Sequence, residues 1–281
     1  MSRINHNVPA MVTGAALRQV GRRVAKSLEK LSTGLRINRA SDDAAGLSVS
    51  EQLRTQVRGL AMGNRNIQDG ISLLNIAEGA LIEIEDMLQR MRELSIQAAN
   101  DTLTVTERSY VQVEFDQLTI EIDRIANGTQ FNSQKLLNGT GVWASTNGGV
   151  LHVGPNDDVT SDLVTVYIGA ITSGGMGIDS ASINVLSQTN AEASITALDV
   201  ALTSVNTIRA DLGAKTNRLE HALNNQENQE QNMQAAESVI RDADFAFETT
   251  EFTRNQILQQ SSTAMLAQAN VIPQNVLQLL G

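Results

Sequence analysis

Seven apolar residues, Ile67, Ile71, Leu74, Leu81, Ile84, Leu88 and Met91, follow one another at intervals of four, three, seven, three, four and three. An α-helix turns once in 3.6 residues, so this spacing draws one apolar seam along a long helix. A strand would need alternation instead. Sustained four-three spacing is the pattern of helices packed as coiled coils. Val111, Phe115, Leu118, Ile122 and Ile125 repeat it, as do Ile195, Leu198, Leu202, Val205, Ile208, Leu212 and Leu219. Three long amphipathic helices follow. Composition agrees: hydrophobic residues make up 41% of the chain, yet only 5 Phe, 2 Tyr and 1 Trp are among them. The core must therefore come from Leu, Ile, Val and Ala, which suits long packed helices better than a large globular core.

Both ends carry diluted versions of the seam. Leu17, Val20, Val24 and Leu31 make a stripe that stops at Ser32-Thr33-Gly34. Phe245 and Phe252 lie seven apart, as do Leu258 and Met265, with Ser, Thr, Gln and Asn filling the spaces. Isolated helices of this quality are marginal in water. Both ends are therefore expected to gain helix only when packed against partners. Gly21, Gly70 and Gly79 interrupt helical patterns at about 1 kcal/mol each relative to Ala, and close helix-helix approach is the expected compensation.

Residues 140–190 change character. Gly, Ser, Thr, Asn and Asp become dense, and β-like runs such as Leu163-Val164-Thr165-Val166-Tyr167-Ile168 lie between turn signals, among them Gly148-Gly149 and Gly154-Pro155-Asn156-Asp157. This segment reads as a hairpin-rich excursion at the tip of a helical rod, too short for a core of its own. Ser145, Thr146, Thr160, Ser161, Thr165 and Ser173 are read there as exposed candidates for O-glycosylation.

Charge and motifs remove several classes of function. The chain has 21 basic and 31 acidic residues and no cysteine, which rules out disulfides and thiolate metal sites. The acidic balance argues against general nucleic-acid binding. Residues 1–66 nevertheless hold 11 basic and 4 acidic side chains, against 10 and 27 in the remainder. Such asymmetry marks either a membrane or nucleic-acid arm, or ends that pair with each other or with neighbouring copies. His6, His152 and His221 are scattered, and no catalytic or phosphate-binding motif occurs, so no catalytic site, metal site or cofactor is expected. Ser41-Asp42-Asp43 reads as a helix cap rather than a pair of acid-base carboxylates. No apolar run approaches the roughly 18 residues of a membrane span, and the start lacks the apolar stretch of a cleaved secretory signal.

Longer motifs give a family resemblance. Leu31-Ser32-Thr33-Gly34-Leu35-Arg36-Ile37-Asn38-Arg39-Ala40-Ser41-Asp42-Asp43-Ala44-Ala45-Gly46-Leu47 resembles the N-terminal signature of bacterial flagellins, as does Gln68-Asp69-Gly70-Ile71-Ser72-Leu73-Leu74. Arg209-Ala210-Asp211-Leu212-Gly213-Ala214, Ile240-Arg241-Asp242-Ala243-Asp244 and the stretch from Ala264 to Leu280 are similar to flagellin C-terminal motifs. The likeness covers about 1–139 and 190–281. It implies a mainly α fold, with long antiparallel helices forming coiled-coil rods called D0 and D1 and a small β-hairpin-rich excursion. D0 would comprise 1–42 and 239–281, with an assembly seam of Leu17, Val20, Val24, Leu31, Phe245, Phe252, Leu258 and Met265. D1 would comprise 43–139, the excursion 140–190 and 191–238.

The resemblance further implies a non-enzymatic subunit that polymerises with copies of itself into the flagellar filament, outside the cell after type III export. Leu151-His152-Val153-Gly154-Pro155-Asn156 is similar to spirochaete core flagellins, which makes a periplasmic filament the alternative. Implied partners are an export chaperone, the cap and hook-associated proteins. Flagellins detected by Toll-like receptor 5 present an Arg, a Leu and a Glu that match Arg90, Leu94 and Glu114 here. From the residues alone, Arg90 and Glu114 simply bridge neighbouring helices. Leu277, Leu279 and Leu280 resemble a segment sensed by cytosolic inflammasome receptors. Two other readings stay open: a hook-filament junction protein of the same superfamily, and an amphipathic membrane-surface protein. The second is disfavoured by the lack of Phe, Tyr or Trp in residues 1–66.

Overall fold

The computed structural model describes residues 6–144 and 148–280, with side chains described through Val271. Six α-helices occur there, α1 (Val8–Thr33), α2 (Ala44–Ala98), α3 (Val105–Gly128), the single turn α4 (Ser173–Met176), α5 (Gln188–Arg241) and α6 (Phe245–Leu280), with a 3-10 turn at Val142–Ala144. Four short strands form two hairpins, β1 (Gln130–Phe131) with β2 (Gln134–Lys135) and β3 (Gly149–His152) with β4 (Leu163–Val166). By contact density the chain divides into one unit of 1–56 with 231–281 and a second of 57–230.

The second unit is organised by the apolar seams. In α2, Ile67, Leu74, Leu81, Ile84, Leu88 and Met91 are buried, and Leu198, Val205, Leu212 and Leu219 of α5 meet them in the same core. Phe115 and Ile122 of α3 complete it. Polar pairs give the direction. Arg92 Nε meets Asp199 at 2.6 Å, Arg209 Nε meets Glu78 at 2.9 Å, and Asn64 Nδ2 donates to Glu230 at 2.9 Å. Numbers rise on α2 as they fall on α5, so the two run antiparallel.

The start of α3 is fixed by a reciprocal cap. Thr104 Oγ1 accepts from the Glu107 amide, and Glu107 Oε2 accepts from the Thr104 amide at 2.7 Å. Arg108 then reaches back to the Ala98 carbonyl at 2.9 Å and ties the turn to the end of α2.

The excursion is where the structure departs from expectation. It does not sit at a tip but lies along the helices, burying Val153, Val164, Val166, Ile168, Ile171, Ile178, Ile183 and Val185 in the shared core. The physical reason is a glycine track on α2. A Cβ on Gly63 would stand 2.2 Å from the Val153 carbonyl oxygen, one on Gly59 2.9 Å from Pro155 Cβ, and one on Gly70 2.7 Å from Leu151 Cδ1. Backbone can therefore approach backbone at Gly59 and Gly63, as no other residue allows, while Gly70 makes room for the Leu151 side chain. Gly70 is thus explained by the hairpin rather than by a neighbouring helix, and Gly21 and Gly79 have nothing within 4 Å.

Hydrogen bonds hold the hairpin on both sides. Asn66 Nδ2 donates to the His152 carbonyl at 2.8 Å, while Lys215 Nζ donates to the Thr165 carbonyl at 3.0 Å. Further on, residues 173–185 run antiparallel along α3. The Ser173 amide and hydroxyl both donate to Asp123, at 2.8 and 2.7 Å, and the Val185 amide donates to Gln112 Oε1 at 2.7 Å.

Candidate functional site

The first unit is built on α1 against α6. Asn7 caps the start of α1, its side-chain oxygen accepting from the Ala10 amide, and its Nδ2 donates to the Ala269 carbonyl at 2.9 Å. At the other end Lys30 is paired with Glu248, so the helices run antiparallel. α1 stops at Gly34, whose φ of 72° closes the helix in the left-handed conformation. Beyond it the Arg36 amide donates to the Arg241 carbonyl at 2.6 Å, and the Ala243 amide to the Gly34 carbonyl at 2.9 Å. Asp43 caps α2 by accepting from the Gly46 amide at 2.9 Å. Asp42 does something different: it pairs with Lys26 at 2.7 Å and accepts from the amides of Asn38 and Arg39. The hydrogen bond from Lys26, aided by those two amides, holds its carboxyl below the usual carboxylate range.

The α6 face turned inward is mostly polar. Glu248, Phe252, Asn255, Gln259, Ser262, Leu266 and Ala269 are buried or half-buried, at alternating intervals of four and three. Opposite them, Leu17, Val20, Val24 and Leu31 of α1 are half-buried. Of the α6 residues expected in this seam only Phe252 lies in it. Phe245, Leu258 and Met265 are exposed, Met265 at 58%. The signal was present in the sequence, but it runs through polar residues, which an apolar periodicity search passes over.

Outward, the distribution reverses. Phe247, Leu258 and Met265 are eleven and seven residues apart, which places them on one face roughly a quarter-turn from the seam. Phe247 is 62% exposed, and on α1 Met11, Val12 and Leu28 are exposed too. Fully covering a side chain of this size is worth roughly 1.5–3 kcal/mol. The pair thus holds the polar side chains of Asn255, Gln259 and Ser262 against an apolar α1 stripe, while Phe247, Leu258 and Met265 stay in solvent.

The model for the bacterial flagellin N-terminal helical region matches residues 4–141, and that for the C-terminal helical region matches 195–280. The flagellin of Halalkalibacterium halodurans is 49% identical, with 99% of each chain covered. The chain belongs to the bacterial flagellins.

A flagellar filament 33 kDa core protein of Treponema phagedenis is 46% identical over 99% of each chain. A flagellar hook-associated protein from Vibrio parahaemolyticus has the same fold, with a TM-score of 0.58 at 17% identity over 71% of this chain and 99% of that one. As a flagellin, the chain is a structural, non-enzymatic subunit of the flagellar filament, the polymer that serves motility. It polymerises, and its place is the filament.

Arg90 bridges α2 to Glu114 on α3 at 2.9 Å and pairs with Glu93 at 3.0 Å, all three being exposed. Its hydrogen bond to Glu114, with that to Glu93, raises the guanidinium pKa further. Leu94, one turn on, is only 2% exposed and belongs to the core. Thr160, Ser161 and Thr165 are exposed. Ser173 is not: it is 5% exposed with its hydroxyl spent on Asp123, which corrects its reading as a surface attachment point. Ser145 and Thr146 lie outside the described residues, as do the side chains of Leu277, Leu279 and Leu280. Among the described residues no three potential metal-ligating side chains come together.

Proposed function

We propose that this flagellin polymerises through the outward apolar face of the α1/α6 pair, and that this pair is the D0 domain, 1–42 with 239–281. D1 is then 43–139, the excursion 140–190 and 191–238. One observation carries the reading: Phe247, Leu258 and Met265 are exposed while Asn255, Gln259 and Ser262 are turned inward. A helix pair meant to stay alone would sort them the other way. Repeating contacts that do not close on themselves generate a helical lattice from copies of one chain.

Seeded elongation of purified monomer, followed by negative-stain electron microscopy and sedimentation, tests it. The double variant Leu258→Asn with Met265→Gln raises the critical concentration at least tenfold, since roughly 1.4 kcal/mol is a factor of ten. A truncation lacking Pro273 to Gly281 is expected not to elongate. Parental elongation by the double variant refutes the assignment. Failure of the parent chain on competent seeds favours a hook-filament junction role.

Membership supports the finer partners: an export chaperone, the cap and hook-associated proteins. A second reading keeps Arg90 and Glu114 as contacts for Toll-like receptor 5, because their bridge is exposed, whereas Leu94 is buried in the core. A reporter assay in which Arg90→Ala leaves the response unchanged removes that reading.

A further inference from the structure

Arg18, Arg22 and Lys26 stand four residues apart on α1 and form one ridge, with Arg23 further round; all four are exposed. Lys26 is occupied by Asp42. Arg18, Arg22 and Arg23 have no ion-pair partner among the described residues. The antiparallel pairing explains why. With Asn7 at Ala269 and Lys30 at Glu248, residues 18–23 face the α6 stretch beginning near Arg254. From Asn255 to Gly281 the chain has no charged side chain, and Glu251, just before it, is already paired with Arg254. Three guanidinium groups on neighbouring turns repel one another, and their own helix partner offers them nothing.

The counter-charge lies elsewhere in the sequence. Residues 67–281 hold 27 acidic against 10 basic side chains. On α5, Glu220 and Glu227 are exposed and Glu237 is half-exposed, none with an ion-pair partner among the described residues.

We propose that the Arg18, Arg22 and Arg23 ridge docks on α5 carboxylates of a second copy of this chain, so that charge pairing orients one subunit on the next. The proposal rests on the self-assembly reading and adds to its apolar face a polar partner that sets orientation. A second copy is favoured over a lipid surface because it supplies carboxylates in equal number wherever the ridge is presented. Residues 1–66 also lack the Phe, Tyr or Trp that would anchor a helix in a bilayer.

The test uses the full chain in two forms. In the first, Arg18→Gln, Arg22→Gln and Arg23→Gln are combined. Glutamine keeps helix propensity, so circular dichroism melting stays parental while the critical concentration for seeded elongation rises about tenfold. In the second, Arg22→Lys is assembled from a mixture of ¹⁵N-labelled and unlabelled chains and treated with a carbodiimide, which joins an amine to a touching carboxylate. Mass spectrometry is expected to find isotopically mixed peptides linking position 22 to Glu220, Glu227 or Glu237. Parental elongation of the triple variant, or links confined to acids of the same copy, overturns the proposal. So does a triple variant that elongates normally yet stops sedimenting with phosphatidylserine vesicles. If the unsubstituted chain fails to elongate on competent seeds, it is the self-assembly reading that falls.

Discussion

Gly63→Ala and Gly79→Ala place the same methyl group on the same helix and should shift stability in opposite directions. Each gains about 1 kcal/mol of helix propensity. At Gly79 nothing lies within 4 Å, so the gain stands. At Gly63 the new Cβ would stand 2.2 Å from the Val153 carbonyl oxygen, more than 1 Å inside ordinary contact, and 3.1 Å from Gln226 Oε1. That carbonyl accepts from Gln226 Nε2 at 2.8 Å, so the chain at Val153 cannot move away without giving up the bond. A lost hydrogen bond costs about 1 kcal/mol and overpacking a further 1–3 kcal/mol. Set against the propensity gain, the net loss is about 1–3 kcal/mol. Urea unfolding followed by Trp143 fluorescence is the natural assay, since the only tryptophan lies against Gly149 at the start of β3. The reasoning fails if Gly63→Ala unfolds at or above the parental midpoint, or if both substitutions move it the same way.

Further outcomes follow from individual contacts. Lys30→Met leaves the buried Glu248 carboxylate unpaired and lowers stability by about 3 kcal/mol; adding Glu248→Leu recovers much of it in a double-mutant melting series. Thr104→Ala removes half of the α3 cap, costs about 1 kcal/mol, and raises hydrogen exchange at the amides of residues 105–108. Asp42, held below its ordinary value of 3.8, contributes stability that is full above that value and lost as pH falls through its lowered one. Asp42→Asn should therefore lower the melting temperature at neutral pH and flatten its decline in acid. Glycopeptide mapping of protein from its native host should find Ser173 unmodified, whatever is attached at Thr160, Ser161 or Thr165.

The parts of the fold written in apolar residues were legible. Ile67, Leu74, Leu81 and Leu88 are buried where their spacing placed them, because a helix seam made of Leu and Ile is itself the periodic signal. The course of the excursion was not, because what fixes it is the absence of side chains at Gly59 and Gly63, and a missing side chain leaves no apolar period to follow. The α6 seam escaped for the complementary reason. Its inward residues are Glu248, Asn255, Gln259 and Ser262, so a reading that equates inside with apolar selects Leu258 and Met265 instead. Ser173 was misplaced because a serine in a Gly- and Ser-rich stretch gives no local hint of a carboxylate, Asp123, fifty positions earlier.

The strands carry a last consequence. A subunit destined for a polymer is crowded against its own copies, the condition under which unpaired strand edges recruit one another into disordered β-aggregates. Here the outer carbonyls of His152 and Thr165 are taken by Asn66 and Lys215, side chains of the helices that flank the hairpin. Replacing either helix residue would uncover an adhesive edge, and the penalty would appear as amorphous deposit competing with filament growth. The hairpin's two anchors thus serve colloidal stability as much as the fold.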